Sequence, residues 1–447
     1  MPRLGRWSVV ASDPRWTLTA RGDEIRLRRG GESRRFHADP FDALAQAIEA
    51  EGSPDLDPRD AAASLPFVGG AIGYLGYELG RQIERLPATT VDDVGAPDLA
   101  VAWYDAALVW DGEAGTGWLA GEREAVAALR HRLSAPAAGP EAATSAHGSA
   151  RTVPDALRSN FERGDYLRAV ERARSYIAAG DIYQVNLSQR FSVATAASGF
   201  ELYERLRAAS PAPFAAYVDA GEVEVLSSSP ERLLRADART IETRPIKGTR
   251  PRGTTPAEDC TLARELLASA KDAAEHVMIV DLERNDLGRI AEVGSVDVPE
   301  LAVLESFAQV HHLTSTVVAH RRAGVGLAEL LRAVFPGGSI SGAPKIRALE
   351  IIDELEPTVR GVYTGAIGYF SAHGTLDLNV AIRTITLADG VAHMHVGGAI
   401  VYDSDPEAEY AETLHKARGM ARALGVRLPD EAAPGAMAAA GARAPRR

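Results

Sequence analysis

Two stretches of the sequence place carboxylates at helical spacing. In CTLARELLASAKDAAEHVMIVDLERNDLGRI, Asp272 and Glu275 are three residues apart and share a helix face. In DSDPEAEYAETLHKARGM, Asp405 is a good N-cap and Pro406 suits the first helical position. Glu409, Glu412 and Lys416 then follow at spacings of three and four on one face. Acidic residues near a helix start and a Glu–Lys pair four apart are common surface features, so neither helix marks a site by itself. Together they offer a carboxylate pair on each of two helices. That suits a hard cation such as Mg²⁺, which takes one or two protein carboxylates, keeps waters and bridges to an anionic substrate.

Other side chains stand in frames that a solvated loop does not need. In TRPIKGTRPRG, Lys247 lies between Pro-Ile and Gly-Thr. Pro245 biases Thr243 and Arg244 toward extended backbone, and Gly248 permits a bend or a close approach. In AIRT, Arg383 is flanked by apolar residues and reads as an inward guanidinium on a strand, ready for a carboxylate. In VHHLTSTV, His311 and His312 point to opposite faces of a strand, so at most one serves a given site. FPGGSISGAPKIRALEIIDELEP reads as a loop leading into a helix, with Ser341 or Gly342 near the cap and Pro344 in the first turn. Without a G-K-[ST] ending it is not a nucleotide loop, although glycine-rich backbone at a helix start can hold a carboxylate.

The elements that must position these groups read as α+β. Short alternating runs, RWSVVAS, WTLTARG, EIRLRR and AVAWYDAALVW, suggest antiparallel strands before residue 134. DPFDALAQAIEAEG, GEREAVAALRHRLS and DYLRAVERARSYIAAG read as helices, the last stopped by Gly180. In the strand DIYQVNLSQRF, Val185, Leu187 and Phe191 share one face. Gln184, Asn186, Ser188 and Arg190 share the other, which either meets water or lines a site. GAIGY occurs twice, at 70–74 and 365–369, as glycine-bearing strand sequence. Residues 134–155 and 428–447 are rich in Ala, Pro and Gly and read as a linker and a tail. They leave an N-terminal region, 1–133, and a catalytic region, 156–427. The net charge of −12 argues against a general nucleic-acid or anionic-membrane binder. One cysteine, Cys260, fits a reducing cytoplasm and leaves no cysteine metal site. No stretch approaches the length of a membrane helix.

Taken in order, GDIYQVNLSQRF, SSSPERLL, RPIKGTRPRG, AEHVMIVDLERNDLGRI, VHHLTSTV, the FPGGSISGAPK segment, AIRT and GGAIVYDSDPEAEYAET resemble the chorismate-utilising enzymes across residues 156–427. The resemblance implies a chorismate-binding domain of antiparallel β-sheets packed as a sandwich and flanked by helices, with Mg²⁺ at the site. It implies Glu275 and Glu412 as metal ligands, with Asp272 and Glu409 behind them. It implies Arg383, Lys416, Tyr363, Ser339, Thr249 and the backbone at Gly397 and Gly398 around the substrate. Glu231 would be the general acid for the departing ring hydroxyl, and His312 would face the enolpyruvyl side. Read from the residues alone, Glu231 ranks no higher than a surface glutamate.

Two positions separate the branches of that family. Members that add water resemble one another in a lysine where this chain has Gln184, and an amide has no useful basicity near neutral pH. Anthranilate synthases carry alanine in PIAGT, where this chain has Lys247. The PIKGT pattern resembles component I of aminodeoxychorismate synthase. In that branch the lysine is expected to attack C2 and to redirect amination to C4. The sequence contains no match to a glutamine amidotransferase, so ammonia is expected from solution or from a separate chain of that type. The alternatives are amination at C2, as in anthranilate synthase, and a non-catalytic chorismate-binding subunit.

Overall fold

The computed structural model describes residues 4–54, 64–134, 157–307 and 310–429. The expected linker and tail therefore lie almost entirely outside the described residues. Two large antiparallel sheets form the centre. One has the strands Phe214–Asp219, Glu224–Ser229, Thr384–Ala388, Val391–Ile400, Gln184–Ala194 and Gly342–Ala343 in that order. The other runs from Ile246–Pro251 through Val310–His320, Thr240–Arg244, Arg232–Ala236, Leu376–Val380 and Ala366–Ser371 to Gly70–Leu75 and Leu99–Tyr104. It ends in the hairpins Trp16–Arg21, Glu24–Arg29 and Glu32–His37, so residues from both sides of 134–155 share one sheet. Trp7–Val10, Ala106–Asp111 and Thr116–Gly121 form a third, small sheet, so the run AVAWYDAALVW is two strands in different sheets.

The large sheets meet face to face over Tyr74, Ala100, Val225, Ile367 and Ala388. Helices cover their outer faces. Phe41, Leu44, Val280 and Leu331 pack on the larger sheet, and Val170, Leu206, Ile352 and Leu414 on the other. This is the expected sandwich flanked by helices, and apolar residues on both faces of each sheet explain why it holds. The two GAIGY segments are adjacent strands, with Ile367 opposite Tyr74 and Gly368 opposite Gly73. A Cβ on Gly73 would come within 2.1 Å of the Ala100 carbonyl oxygen, so that strand must be bare to lie there.

Local sequence and structure differ in three informative places. The long carboxylate-bearing segment is two helices, Pro256–Ala268 and Ala270–Gly288, because Ser269 is extended and caps the second through the Asp272 amide. Pro344 is the N-cap of Lys345–Leu355 rather than part of its first turn, and Gly342–Ala343 pairs with Gln184–Val185. Arg383 is not within a strand. It sits between Leu376–Val380 and Thr384–Ala388 with φ 51°, a left-handed conformation that turns the chain from one large sheet into the other. The Asp405 start holds as expected, capping Pro406–Leu424 through the Ala408 amide, whereas the helix read from Asp165 begins earlier, at Arg163.

Candidate active site

Lys247 lies on the edge strand Ile246–Pro251, beside a bulge. Lys247 faces Leu313 and Thr249 faces His312, which leaves Gly248 as the extra residue. Gly248 has φ 78°, and a Cβ there would stand 3.0 Å from Leu266 and 3.2 Å from Asp272. The glycine thus serves both the turn and the close approach of this strand to the Asp272 helix. Lys247 is half-buried and donates from Nζ to the Ser339 carbonyl at 2.9 Å. Asn186 Nδ2, from the polar face of the Gln184–Ala194 strand, donates to the same oxygen at 3.2 Å. Burial pushes the lysine below its ordinary range, against the pull of Glu231, Glu275 and Glu412, while Lys416 adds to the lowering. One amine therefore feels both carboxylate helices and Glu231.

Glu231 is only 4% exposed, not a surface glutamate. It stands between Glu224–Ser229 and Arg232–Ala236, where Ser229 Oγ bonds the Val380 carbonyl at 2.6 Å and accepts from the Glu231 amide at 3.2 Å. Burial raises its carboxyl above the usual range, opposed by the Ser339 hydroxyl and the Lys247 ammonium. The shifts of Glu231 and Lys247 both favour a protonated acid beside a free amine. Periodicity could not have found Glu231, because its burial comes from a turn between two sheets rather than from a pattern along one element.

The histidines separate as their spacing requires. His311 bonds Ser306 at 2.8 Å and Asp259 at 2.9 Å, away from Lys247. His312 bonds Thr249 Oγ1 through Nδ1 at 2.8 Å, and its buried Nε2 has no partner among the described residues. Burial, with Arg383 next in effect, pushes its imidazole down to about 3, so the ring is neutral near pH 7. Thr249 is exposed and holds His312. The Arg383 side chain has no carboxylate partner among the described residues, and burial lowers its pKa. A half-buried, unpaired guanidinium is a ready receptor for an anionic substrate.

The Glu409–Glu412 helix lies against a bare strand. A Cβ on Gly398 would lie 3.2 Å from Glu409 Oε2 and 3.5 Å from Glu412 Oε1. Lys416 bridges Glu412 at 2.7 Å and the Gly397 carbonyl at 2.8 Å, and Ser404 donates to Glu409 at 2.6 Å. On the other helix, Asp272 pairs with Arg250 at 2.9 Å. Burial raises Glu275, and Asp272 and Glu412 raise it further by like charge. No group of three or more His, Cys, Asp or Glu residues among the described residues forms a ready-made metal cage. Two carboxylates from different helices, Glu412 raising Glu275 by like charge, nevertheless suit Mg²⁺, which completes its shell with water and substrate oxygens.

One network was not foreseen. Glu356 and Arg360, 5% and 3% exposed, form a buried ion pair at 2.6 Å. Arg360 also donates to the Asn186 carbonyl at 2.8 Å and the Ile340 carbonyl at 3.2 Å, and Glu356 accepts from the Ser188 amide at 2.8 Å. Its guanidinium lies 5.8 Å from the ring of Tyr363, which stacks on His395 at 5.1 Å. Gln184 is fully buried, and neither end of its amide has a partner among the described residues. The clue available in the sequence was Glu356 and Arg360 four apart across Pro357, a spacing that a helix-ending proline hides.

A family profile described as chorismate binding enzyme matches residues 4–422. The chain belongs to this family. It is 43% identical over 412 residues to aminodeoxychorismate synthase component 1 of Klebsiella aerogenes, covering 92% of this chain and 88% of that one. It is 42% identical over 420 residues to the Escherichia coli (strain K12) protein of the same name, covering 94% and 90%. Anthranilate synthase component 1 of Thermus thermophilus is 42% identical over 438 residues, covering 94% and 90%. In structure it is similar to anthranilate synthase component I from Streptococcus pneumoniae TIGR4, with a TM-score of 0.81, 33% identity and coverage of 93% and 92%. The resemblance drawn from the motifs therefore extends beyond residues 156–427 to nearly the whole chain. A groove of about 1630 Å³, lined by Thr17, Phe214, Tyr217 and Tyr369 among others, contains none of the expected site residues.

Proposed function

We propose that this chain aminates chorismate at C4 to give 4-amino-4-deoxychorismate, for 4-aminobenzoate and folate synthesis. Mg²⁺ is the metal, and ammonia comes from a separate glutamine amidotransferase component. The observation that carries this reading is the Lys247 amine, half-buried and held on the Ser339 carbonyl, with Glu231, an acid of raised pKa, and carboxylates of both helices in its electrostatic field. Relatives of both branch names match at similar identity, so overall similarity does not choose between C2 and C4, whereas a nucleophile at Lys247 does.

Arg383 and Lys416 hold the substrate carboxylates, with Tyr363 and Ser339 lining the pocket. Mg²⁺, held by Glu275 and Glu412 with Asp272 and Glu409 behind them, would neutralise substrate carboxylate charge when bound. Lys247 attacks C2, the ring double bond shifts, and the C4 hydroxyl leaves as water with a proton from Glu231. Ammonia then adds at C4, the double bond returns and Lys247 departs from C2. Glu231 regains its proton from the incoming ammonia. The enolpyruvyl group is kept, His312 facing it as a neutral ring. A cytoplasmic location suits a chain with one cysteine and, among the described residues, no helix long and apolar enough to cross a membrane.

The test is a product assay with purified protein, chorismate, Mg²⁺ and an ammonium salt, read by mass spectrometry. A product that keeps its enolpyruvyl group and carries nitrogen at C4 supports the reading, and Lys247→Ala should lower its formation at least about 100-fold. Anthranilate would instead place this chain with the C2-aminating branch. Activity should rise with pH as the lysine loses its proton and fall as Glu231 loses its own.

A further inference from the structure

We propose that the buried Glu356–Arg360 pair is the positioning element for both site lysines. It fixes the two backbone carbonyls to which Lys247 and Lys416 are anchored. Arg360 Nη1 donates to the carbonyl of Ile340, the residue after Ser339, and Nη2 to the carbonyl of Asn186 at 2.8 Å. Asn186 in turn donates from its side chain to the Ser339 carbonyl, the acceptor of Lys247 Nζ. Glu356 accepts the Ser188 amide at 2.8 Å, and Ser188 lies opposite Gly397, whose carbonyl accepts Lys416 Nζ. One ion pair thus reaches both lysine anchors by two-step routes through the same strand. A third tie runs to the N-terminal region. Glu78 accepts the Arg360 and Gly361 amides, each at 2.9 Å, and so holds the turn that leads to Tyr363.

Stability alone is a poor reason for this pair. Removing two charges from water offsets most of their attraction, so buried ion pairs add little net stability and their best-attested use is to specify one arrangement. The planar guanidinium serves that use here. Its fork meets Glu356 through Nε at 2.9 Å and Nη2 at 2.6 Å while other N–H groups reach the two carbonyls and Thr364. A lysine keeps the charge but cannot make that set of bonds.

The inference rests on Lys247 as a reacting amine, so its test reads that amine directly. In Arg360→Lys and Glu356→Gln, the pH dependence of Lys247 acetylation by acetic anhydride would be followed by peptide mapping, beside chorismate KM, kcat and thermal stability. The expected result is a shift of the Lys247 midpoint by at least about 0.5 unit, because its acceptor or hydration changes. A kcat loss of at least tenfold and a raised KM through Lys416 should accompany it. An unmoved midpoint with kcat within threefold of the parent, whatever the loss of thermal stability, would make the pair a structural tie only and overturn the proposal. If Arg360→Lys does not fold, Glu356→Gln carries the same comparison. The labelling needs no turnover, so a failure of C4 amination and a failure of positioning give different results.

Discussion

The two carboxylate helices begin alike and end in different electrostatic states. Each starts at a side-chain cap, Ser269 or Asp405, and each carries two acids three residues apart within its first two turns. Glu412 has Lys416 one turn along its own helix, and that ion pair, the largest influence, lowers its carboxyl. On its own helix Glu275 has Lys271 one turn back, a weaker opposing cation than Lys247 and not an ion-pair partner among the described residues. Burial raises Glu275, and the cation that opposes burial most, Lys247, comes from a distant strand. The same local motif therefore gives one carboxylate lowered chiefly by its own helix and one raised by burial, whose strongest opposing cation comes from another strand.

The largest expected effect tests that asymmetry directly. Glu275→Gln and Glu412→Gln should each lower kcat/KM about 1000-fold, roughly 4 kcal/mol of transition-state stabilisation. Only Glu412→Gln should also raise chorismate KM, because it releases Lys416. Equal KM values in the two variants would break the comparison. Next in size is Lys416→Met, where pH carries the readout. The proposed Mg²⁺ needs ionised carboxylates, so its affinity should weaken as pH falls through the raised pKa of Glu275, while the lowered Glu412 stays charged. Without Lys416 the Glu412 carboxyl rises, and Mg²⁺ activation should begin to fail at a higher pH than in the parent. An unchanged pH dependence would remove Lys416 as the tuning group. Asp272→Asn and Glu409→Gln should weaken Mg²⁺ activation about 10- to 100-fold, if they stand behind the proposed metal ligands. Smallest are the caps. Ser269→Ala and Asp405→Ala should each cost about 1 kcal/mol in denaturant unfolding, with similar values if the helix starts are as alike as their geometry.

The sequence made the caps, the carboxylate spacing and the Gly248 frame legible because each depends on residues within one turn or one bend. Asp405 and Pro406 stand where helix-start chemistry puts them. The break at Ser269 was readable in principle, since SAKD is a serine followed three residues later by an acid, but the continuous helical composition masked it. Arg383 misled because its apolar neighbours imitate a strand, while the chain needs a left-handed turn there to change sheets. Glu231 misled because burial in a turn between sheets leaves no period in the sequence.

By itself the sequence determined which acids, bases and cations are present, which of them share a helix face, and that antiparallel strands with flanking helices must carry them. Alternation and helical spacing are properties of neighbouring residues, so they survive without knowledge of the fold. Only the tertiary structure decided that Lys247 meets the Ser339 carbonyl, 92 residues away in the chain, and that Glu231 is a buried acid beside it. Only it joined Glu356 and Arg360 to both lysine anchors. Desolvation and the field of opposing charges depend on what the folded chain brings within a few ångströms, and those partners are distant in sequence.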